Sequence, residues 1–440
     1  MKLTAFHAAD GDCLLLASGD VVPRRLLIDG GRKGSYDENT RTFLGELRDA
    51  NGKLDLICVS HIDDDHITGV LRLVEDEVDW RAFEFVSSED PGVSEPRTPR
   101  PPEVAEVWHN GLFRLVGDEL GDFAENVMSM VATVLAGSPQ AELRERAAEL
   151  DDIVTGERAS MELSRRLSPE QLAIPLNAPV GGALLRRGTG APSPSEQIAL
   201  GALQISLLGP SDEDIEALRA DWRKWIDLNR IALEKLHEQM LVDEERLGAL
   251  SPRIVANPML DSALGQGLSG VTPANLASIM LFVEEDVHNV LLTGDGVSSA
   301  ILDGLAHHGK LDANGCIHVG ILKVQHHGAK ANVTEEFVQR VTADHYVFCG
   351  NGAHHNPELE VIEAFAKARL EGIAGSSPIG PPGKFKFWFT SSPTSPGLTD
   401  SRKAHMEEVK QLMTDLRQGH QGRFLAPKFL KKGHFDIELG

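Results

Sequence analysis

Two imidazoles and three carboxylates occupy the short run Ser60-His61-Ile62-Asp63-Asp64-Asp65-His66, the densest supply of metal-ligating side chains in the sequence. Carboxylates packed this closely repel one another unless a cation neutralises them, and a buried strand end offers little water for screening. The run therefore reads as a metal site. His61 and Asp63 alternate toward one side, while Asp65 and His66 turn toward the other, a geometry that suits two metals side by side. The competing reading is a polar loop whose aspartates cap the following helix.

Four further places put ligand-type residues after strand-like runs: His109, Asp295, the pair His326 and His327, and the pair His354 and His355. Singly, each reads more simply as a hydrogen-bonded turn residue. Together with the first cluster they supply enough donors for two closely spaced divalent cations. His327 and His354 are candidates to donate a proton to a leaving group, because an imidazole titrates near neutrality. A hydrogen bond to a ligand is the plainer role for both.

Rigid elements must hold these groups. Leu54–Ser60 is short, apolar and β-branched, as a strand covered on both faces should be, and a helix is expected over 67–76. Strand-like runs also surround Cys13–Leu16 and Arg25–Asp29, with further strands expected at Glu84–Val86 and Val104–His109. The β/α rhythm resumes at Ala277–Val283, Val287–Thr293, Ile317–Gln325 and Tyr346–Cys349, with helices near Val297–Leu305, Glu335–Val341, Pro357–Leu370 and Lys403–Leu416. Lys384–Phe389 alternates like a strand. Between these blocks the texture changes to helical stretches such as Ala141–Leu150 and Gly/Pro/Ser-rich segments, with one strand at 203–208 and a long charged helix or helical pair over 212–250. Its apolar stripe, Ile215, Leu218, Trp222, Trp225, Leu228, Ile231 and Leu236, suits packing against the domain or a partner, a second copy included.

In order and residue type these blocks resemble the metallo-β-lactamase superfamily, and in particular its branch containing the hydrolase domain of the DNA-uptake competence protein. The first cluster matches that superfamily's His-x-His/Asp-x-Asp-His pattern. Leu27-Ile28-Asp29-Gly30-Gly31 looks like its early Asp-ended strand, Leu291–Asp295 like the strand carrying a bridging aspartate, and Leu322–Gly328 like the branch's His-His-Gly block. The resemblance spans about residues 1–115 and 270–370. It implies an αββα sandwich of α/β class, interrupted by a large, mostly helical insertion. It also implies that His61, Asp63 and His109 hold one metal, that Asp65, His66 and His326 hold the other, and that Asp295 bridges them. Asp29 would order a ligand histidine from behind. As a turn residue before Gly30-Gly31 it needs no such role. Three departures stand out. Asp63 replaces a common histidine, which leaves manganese a competitor to zinc. Ala329 replaces a serine, and Asn356-Pro357 replaces a His-Pro.

The expected division is a first half of the core at 1–112, a helical insertion at 113–270 whose strand at 203–208 could join the core, a second half at 271–370 and an extension at 371–440. The chain has 440 residues, 41 % of them hydrophobic, so it can bury a sizeable core. A net charge of −23 disfavours broad adhesion to nucleic acid, though not a nucleotide held through metals. Lys323, Lys330, Arg340, Lys428, Lys431 and Lys432 could form a basic phosphate channel. Cys13, Cys58, Cys316 and Cys349 lie far apart in apolar runs and read as reduced core residues. No leader or membrane-span pattern stands out, so a soluble cytoplasmic protein is expected. The implied activity is a hydrolase with two divalent cations, zinc before manganese, acting on a phosphodiester in nucleic acid or a nucleotide. Asp65, His327 and His354 would take part directly. The alternatives are hydrolysis of a carboxylic ester, lactone or thioester, and a partner-binding component that docks through 212–250.

Overall fold

The computed structural model describes residues 1–90, 92–111, 158–220, 277–371 and 383–440. Two mixed sheets organise them. The first is built from the N-terminal strands β1 (Lys2–Phe6), β2 (Leu14–Ala17), β3 (Arg25–Ile28), β4 (Leu56–Cys58) and β5 (Val107–Trp108), with the last strand, β14 (His434–Glu438), at its edge in the order β14-β1-β2-β3-β4-β5. Strands β1 to β3 form an antiparallel meander, and β3, β4 and β5 run parallel. The second sheet contains β6 (Gln197–Leu200), β7 (Leu203–Gly209), β8 (Met280–Glu285), β9 (His288–Leu292), β10 (Ile317–Lys323), β11 (Val341–Phe348), β12 (Lys386–Phe389) and β13 (Lys428–Phe429), laid side by side in sequence order. It is antiparallel from β6 to β9 and parallel from β9 to β13.

Alternation along the strands divides the core. Leu3, Leu14, Leu16, Leu26, Ile28 and Cys58 of the first sheet meet Ile205, Leu281, Val290, Leu292, Ile321 and Val347 of the second, so one apolar layer lies between the sheets. The other face of the first sheet is covered by α1 (Arg41–Asp49), α2 (Asp64–Glu89) and the helical residues 158–167, through Leu44, Ile67, Val70, Val74 and Leu163. The other face of the second sheet carries α3 (Ser298–His307), α4 (Glu335–Arg340), α5 (Leu359–Leu370) and α6 (Asp400–Arg417), packed through Ile301, Phe337, Phe365 and Val409.

Several expectations are corrected here. Glu84–Val86 is helix, because α2 continues without interruption to Glu89. The strand expected over Val104–His109 shortens to Val107–Trp108. The strand at 203–208, allowed for as a core strand within the insertion, is β7 of the second sheet, and β6 joins it there, where no strand was expected. The C-terminal segment is no appendage: β12 and β13 extend the second sheet, and β14 pairs with β1. All four cysteines are free, and Cys316 is only half-buried. Ile215 and Leu218 of the apolar stripe are buried, but helix Ala141–Leu150 and the stripe beyond residue 220 lie outside the described residues. Among the described residues, no helix is long and apolar enough to cross a membrane.

Candidate metal centre

Two glycines bring the first two ligand-bearing segments together. The Gly30 N–H donates to the His66 carbonyl at 2.8 Å, and the Gly69 N–H donates to the Gly31 carbonyl at 2.8 Å. A Cβ on Gly30 would lie 2.3 Å from the Val70 nitrogen, and one on Gly69 would lie 2.0 Å from the Gly30 oxygen. Only hydrogen at these positions lets the loop after β3 seat against the first turn of α2. That contact delivers Asp29, itself at φ 56°, to His66.

Asp29 is fully buried and accepts three hydrogen bonds: from the Ser60 N–H at 2.6 Å, from the Ser60 hydroxyl at 2.8 Å and from His66 Nδ1 at 2.9 Å. With its proton given to Asp29, the Ser60 hydroxyl accepts from His61 Nδ1 at 3.0 Å. His326 Nδ1 donates to the Asn332 side-chain oxygen at 2.7 Å, and the same amide donates to the Asp295 carbonyl at 2.8 Å, which fixes its orientation. His327 Nδ1 lies 3.3 Å from Asp12 Oδ1. His61, His66 and His326 are thus held from behind by a hydrogen bond at Nδ1, His327 has the Asp12 carboxylate beside its Nδ1, and in all four Nε2 is left to face inward.

All four Nε2 atoms converge on one oxygen. Asp295 Oδ2 lies 3.8 Å from His61, 3.6 Å from His66, 3.7 Å from His326 and 3.4 Å from His327. Asp63 Oδ2 is 3.3 Å from His61 Nε2, and Asp65 Oδ2 is 3.6 Å from His66 Nε2 and 3.2 Å from His327 Nε2. The other Asp295 oxygen faces the Lys323 ammonium at 3.4 Å. Lys323 also donates to the Gly294 carbonyl at 2.7 Å and pairs with Asp12. The carboxylates decide the electrostatics. Burial works against charge on His66, but Asp65, Asp295 and Asp29 outweigh it and hold the imidazolium well above its ordinary range. His327 behaves likewise, with Asp295 and Asp12 overcoming its burial. His326 goes the other way, its burial lowering it more than Asp295 raises it.

The donor set fits a cation. His61 Nε2, His66 Nε2 and Asp63 Oδ1 are buried without a hydrogen-bond partner, a costly arrangement for a polar atom unless something else satisfies it. Asp12, His66, Asp295 and His327 each offer a ligand atom within 4.8 Å of the others, so this cluster could hold a metal ion.

The structure also redistributes roles within the expected set. Asp63 occupies the N-cap position of α2, yet its side chain accepts no capping hydrogen bond, so the helix-cap reading of the acidic run fails at this residue. Asp64 turns outward to Arg32. His327, expected as a proton donor, stands among the ligand groups, whereas His326 lies at the rim with 28 % of its side chain exposed. Both histidines sit in left-handed backbone, φ 45° and 55°, and a conformation of this kind costs on the order of 1–3 kcal/mol. His109 is buried at the end of β5, beside β4, with its Nε2 2.8 Å from the Ser160 hydroxyl. His354 and His355 lie in an exposed turn over Ala353–His355, with the His355 ring 5.4 Å from that of His405.

Sequence reasoning missed Asp12 and misassigned Lys323. The expected basic channel loses Lys323, which is buried against Asp12 and Asp295, and Lys330, which pairs with Glu360. Asp12 follows Gly11, whose absent Cβ would meet the Asp65 carbonyl oxygen at 1.7 Å. An Asp-Gly-Asp turn before a strand was the available signal, but a turn motif does not tell which segment packs over it.

Fold and site together define a mixed α/β protein with a buried His/Asp cluster able to bind a metal. No family model matches the chain, and no curated protein matches it.

Proposed function

We propose that this protein is a two-metal hydrolase of the metallo-β-lactamase type that cleaves phosphodiesters. The observation that carries the reading is the convergence of four imidazole Nε2 atoms, from two separate loops, on the single oxygen Asp295 Oδ2 of a third. A carboxylate so placed suits a bridge between two cations. The layering of two facing sheets with helices outside supports the same family.

His61 and Asp63 would hold one cation, with His109 as the third protein ligand if its ring turns from Ser160. Asp65, His66 and His327 would hold the other. When bound, two divalent cations lower the pKa of water and take up negative charge that develops on the substrate. The chain's own residues do the positioning. Asp29 and Ser60 set the tautomers of His66 and His61, Asn332 sets that of His326, and Lys323 restrains Asp12 and Asp295. His326, partly exposed and held low by burial, is placed to exchange a proton with a leaving group at the rim.

The test combines elemental analysis with hydrolysis of a chromogenic phosphodiester and, in parallel, a carboxylic ester. About two cations per chain, with diester cleavage falling on the order of 10²–10³-fold in Asp295→Asn, is the expected result. Metal with ester cleavage alone would replace the substrate class, and a folded protein that takes up no metal would end the reading.

A further inference from the structure

We propose that Glu196, His307 and His308 form a second divalent-cation site, distinct from the Asp295 cluster, with a donor set suited to zinc. The three residues come from two elements. Glu196 ends the short turn Pro194–Glu196 that leads into β6, and His307 and His308 close α3. One donor atom from each lies within 4.8 Å of the other two.

The hydrogen bonds fix the orientation of Glu196 and the tautomer of His308. Glu196 is buried, and its Oε1 accepts from the Ser193 hydroxyl at 2.8 Å and from the Ser193 and Gly188 N–H groups at 3.4 Å. Those bonds hold Oε2 toward His307, whose Nε2 lies 2.8 Å away. His308 Nε2 reaches the Leu207 carbonyl at 2.8 Å, and a carbonyl can only accept, so the proton is on Nε2 and Nδ1 carries a lone pair. That Nδ1 is buried and has no hydrogen-bond partner.

This last atom separates the proposal from a plain ion pair. Glu196 and His307 satisfy each other without help, but nothing in such a pair answers the lone pair of His308, whose ring lies with its centroid 4.9 Å from that of His307. A backbone carbonyl on the far nitrogen is the usual support for a ligating histidine. Around a tetrahedral zinc with bonds near 2.0 Å, donors stand roughly 3.3 Å apart, so the Glu196 and His307 atoms need open only slightly to admit it, and the proton that His307 Nε2 donates to Glu196 is released to solvent as the metal enters. Two imidazoles and one carboxylate also leave a fourth position for water or another group. The site lies at the opposite end of α3 from Asp295, which precedes the helix by three residues. A helix of ten residues spans about 15 Å. A cation here would tie the β6 edge to the helix that leads away from Asp295.

The full-length protein, stripped of metal and dialysed against buffered zinc, is compared with His308→Ala and Glu196→Gln. Glu196→Gln preserves size and most hydrogen bonding, so it decides the matter if His308→Ala does not fold. The expected result is the loss of one zinc per chain in both variants, a smaller rise in melting temperature on adding zinc, and retention of any diesterase activity within about twofold. The same loss is expected even if the Asp295 cluster takes up no metal, so the two readings fail separately. Unchanged zinc content in a folded variant overturns the site and leaves Glu196 and His307 as an ion pair.

Discussion

A single carboxylate shows how much of this site depends on proton placement. Asp29 touches none of the four Nε2 atoms, yet its three accepted hydrogen bonds determine that His66 and, through Ser60, His61 are protonated at Nδ1. Asparagine has one acceptor oxygen where aspartate has two, and its amide would face either the Ser60 N–H or His66 Nδ1 as a second donor. The clash is relieved when His66 shifts its proton to Nε2, which removes the lone pair a cation needs. Asp29→Asn is therefore expected to weaken metal affinity about 10–100-fold, with the fold retained. Competition against a chromophoric chelator, with circular dichroism as the control, measures it. Unchanged affinity would reduce Asp29 to the turn residue that its place before Gly30-Gly31 equally allows.

At the scale of elements, the site depends on loops seated closely enough for side chains from β2, β3, β4, β9 and β10 to meet. The Gly30–Gly69 contact is one of these seatings, alongside that of Gly11 on Asp65. Gly30→Ala places a methyl 2.3 Å from the Val70 nitrogen, where no side chain can rotate out of the way. The loop after β3 must move off α2, and Asp29 moves with it. The expected outcome is a destabilisation of about 1–3 kcal/mol, read by denaturant titration, together with a loss of metal affinity exceeding that of a surface Gly→Ala control. A variant that loses stability but binds metal normally would show that Asp29 does not depend on this seating. The same contacts explain what the sequence could reveal. The run 60–66, Asp295 and the His326-His327 pair were legible because ligand types cluster locally after apolar strands. Asp12 was not, since its role comes from Gly11 packing under Asp65, more than fifty residues away along the chain. Lys323 looked like surface because lysine usually is, and only its burial between Asp12 and Asp295 reveals it as an internal counter-charge. Glu84–Val86 was misread because a short apolar run has no periodicity that separates strand from helix.

Across the whole molecule, the chain's two ends meet in the first sheet, and that closure also joins the two sheets. Strand β14 pairs with β1 in register from Lys2 opposite Glu438 to Phe6 opposite His434. Phe435 projects from β14 into the layer between the sheets, with its ring 4.9 Å from that of Trp388 on β12. Its removal empties a place bounded by both sheets, which cannot collapse without shifting one against the other. Phe435→Ala is expected to cost about 3–5 kcal/mol, at the upper end for core truncations. The loops that carry His61, His66, Asp295 and His327 follow β4, β9 and β10, none of which pairs with β14. Folded Phe435→Ala should therefore keep its metal content while its unfolding midpoint in denaturant falls. A variant that loses metal before it unfolds would mean that the position of one sheet on the other, and not the loops alone, sets the geometry around Asp295.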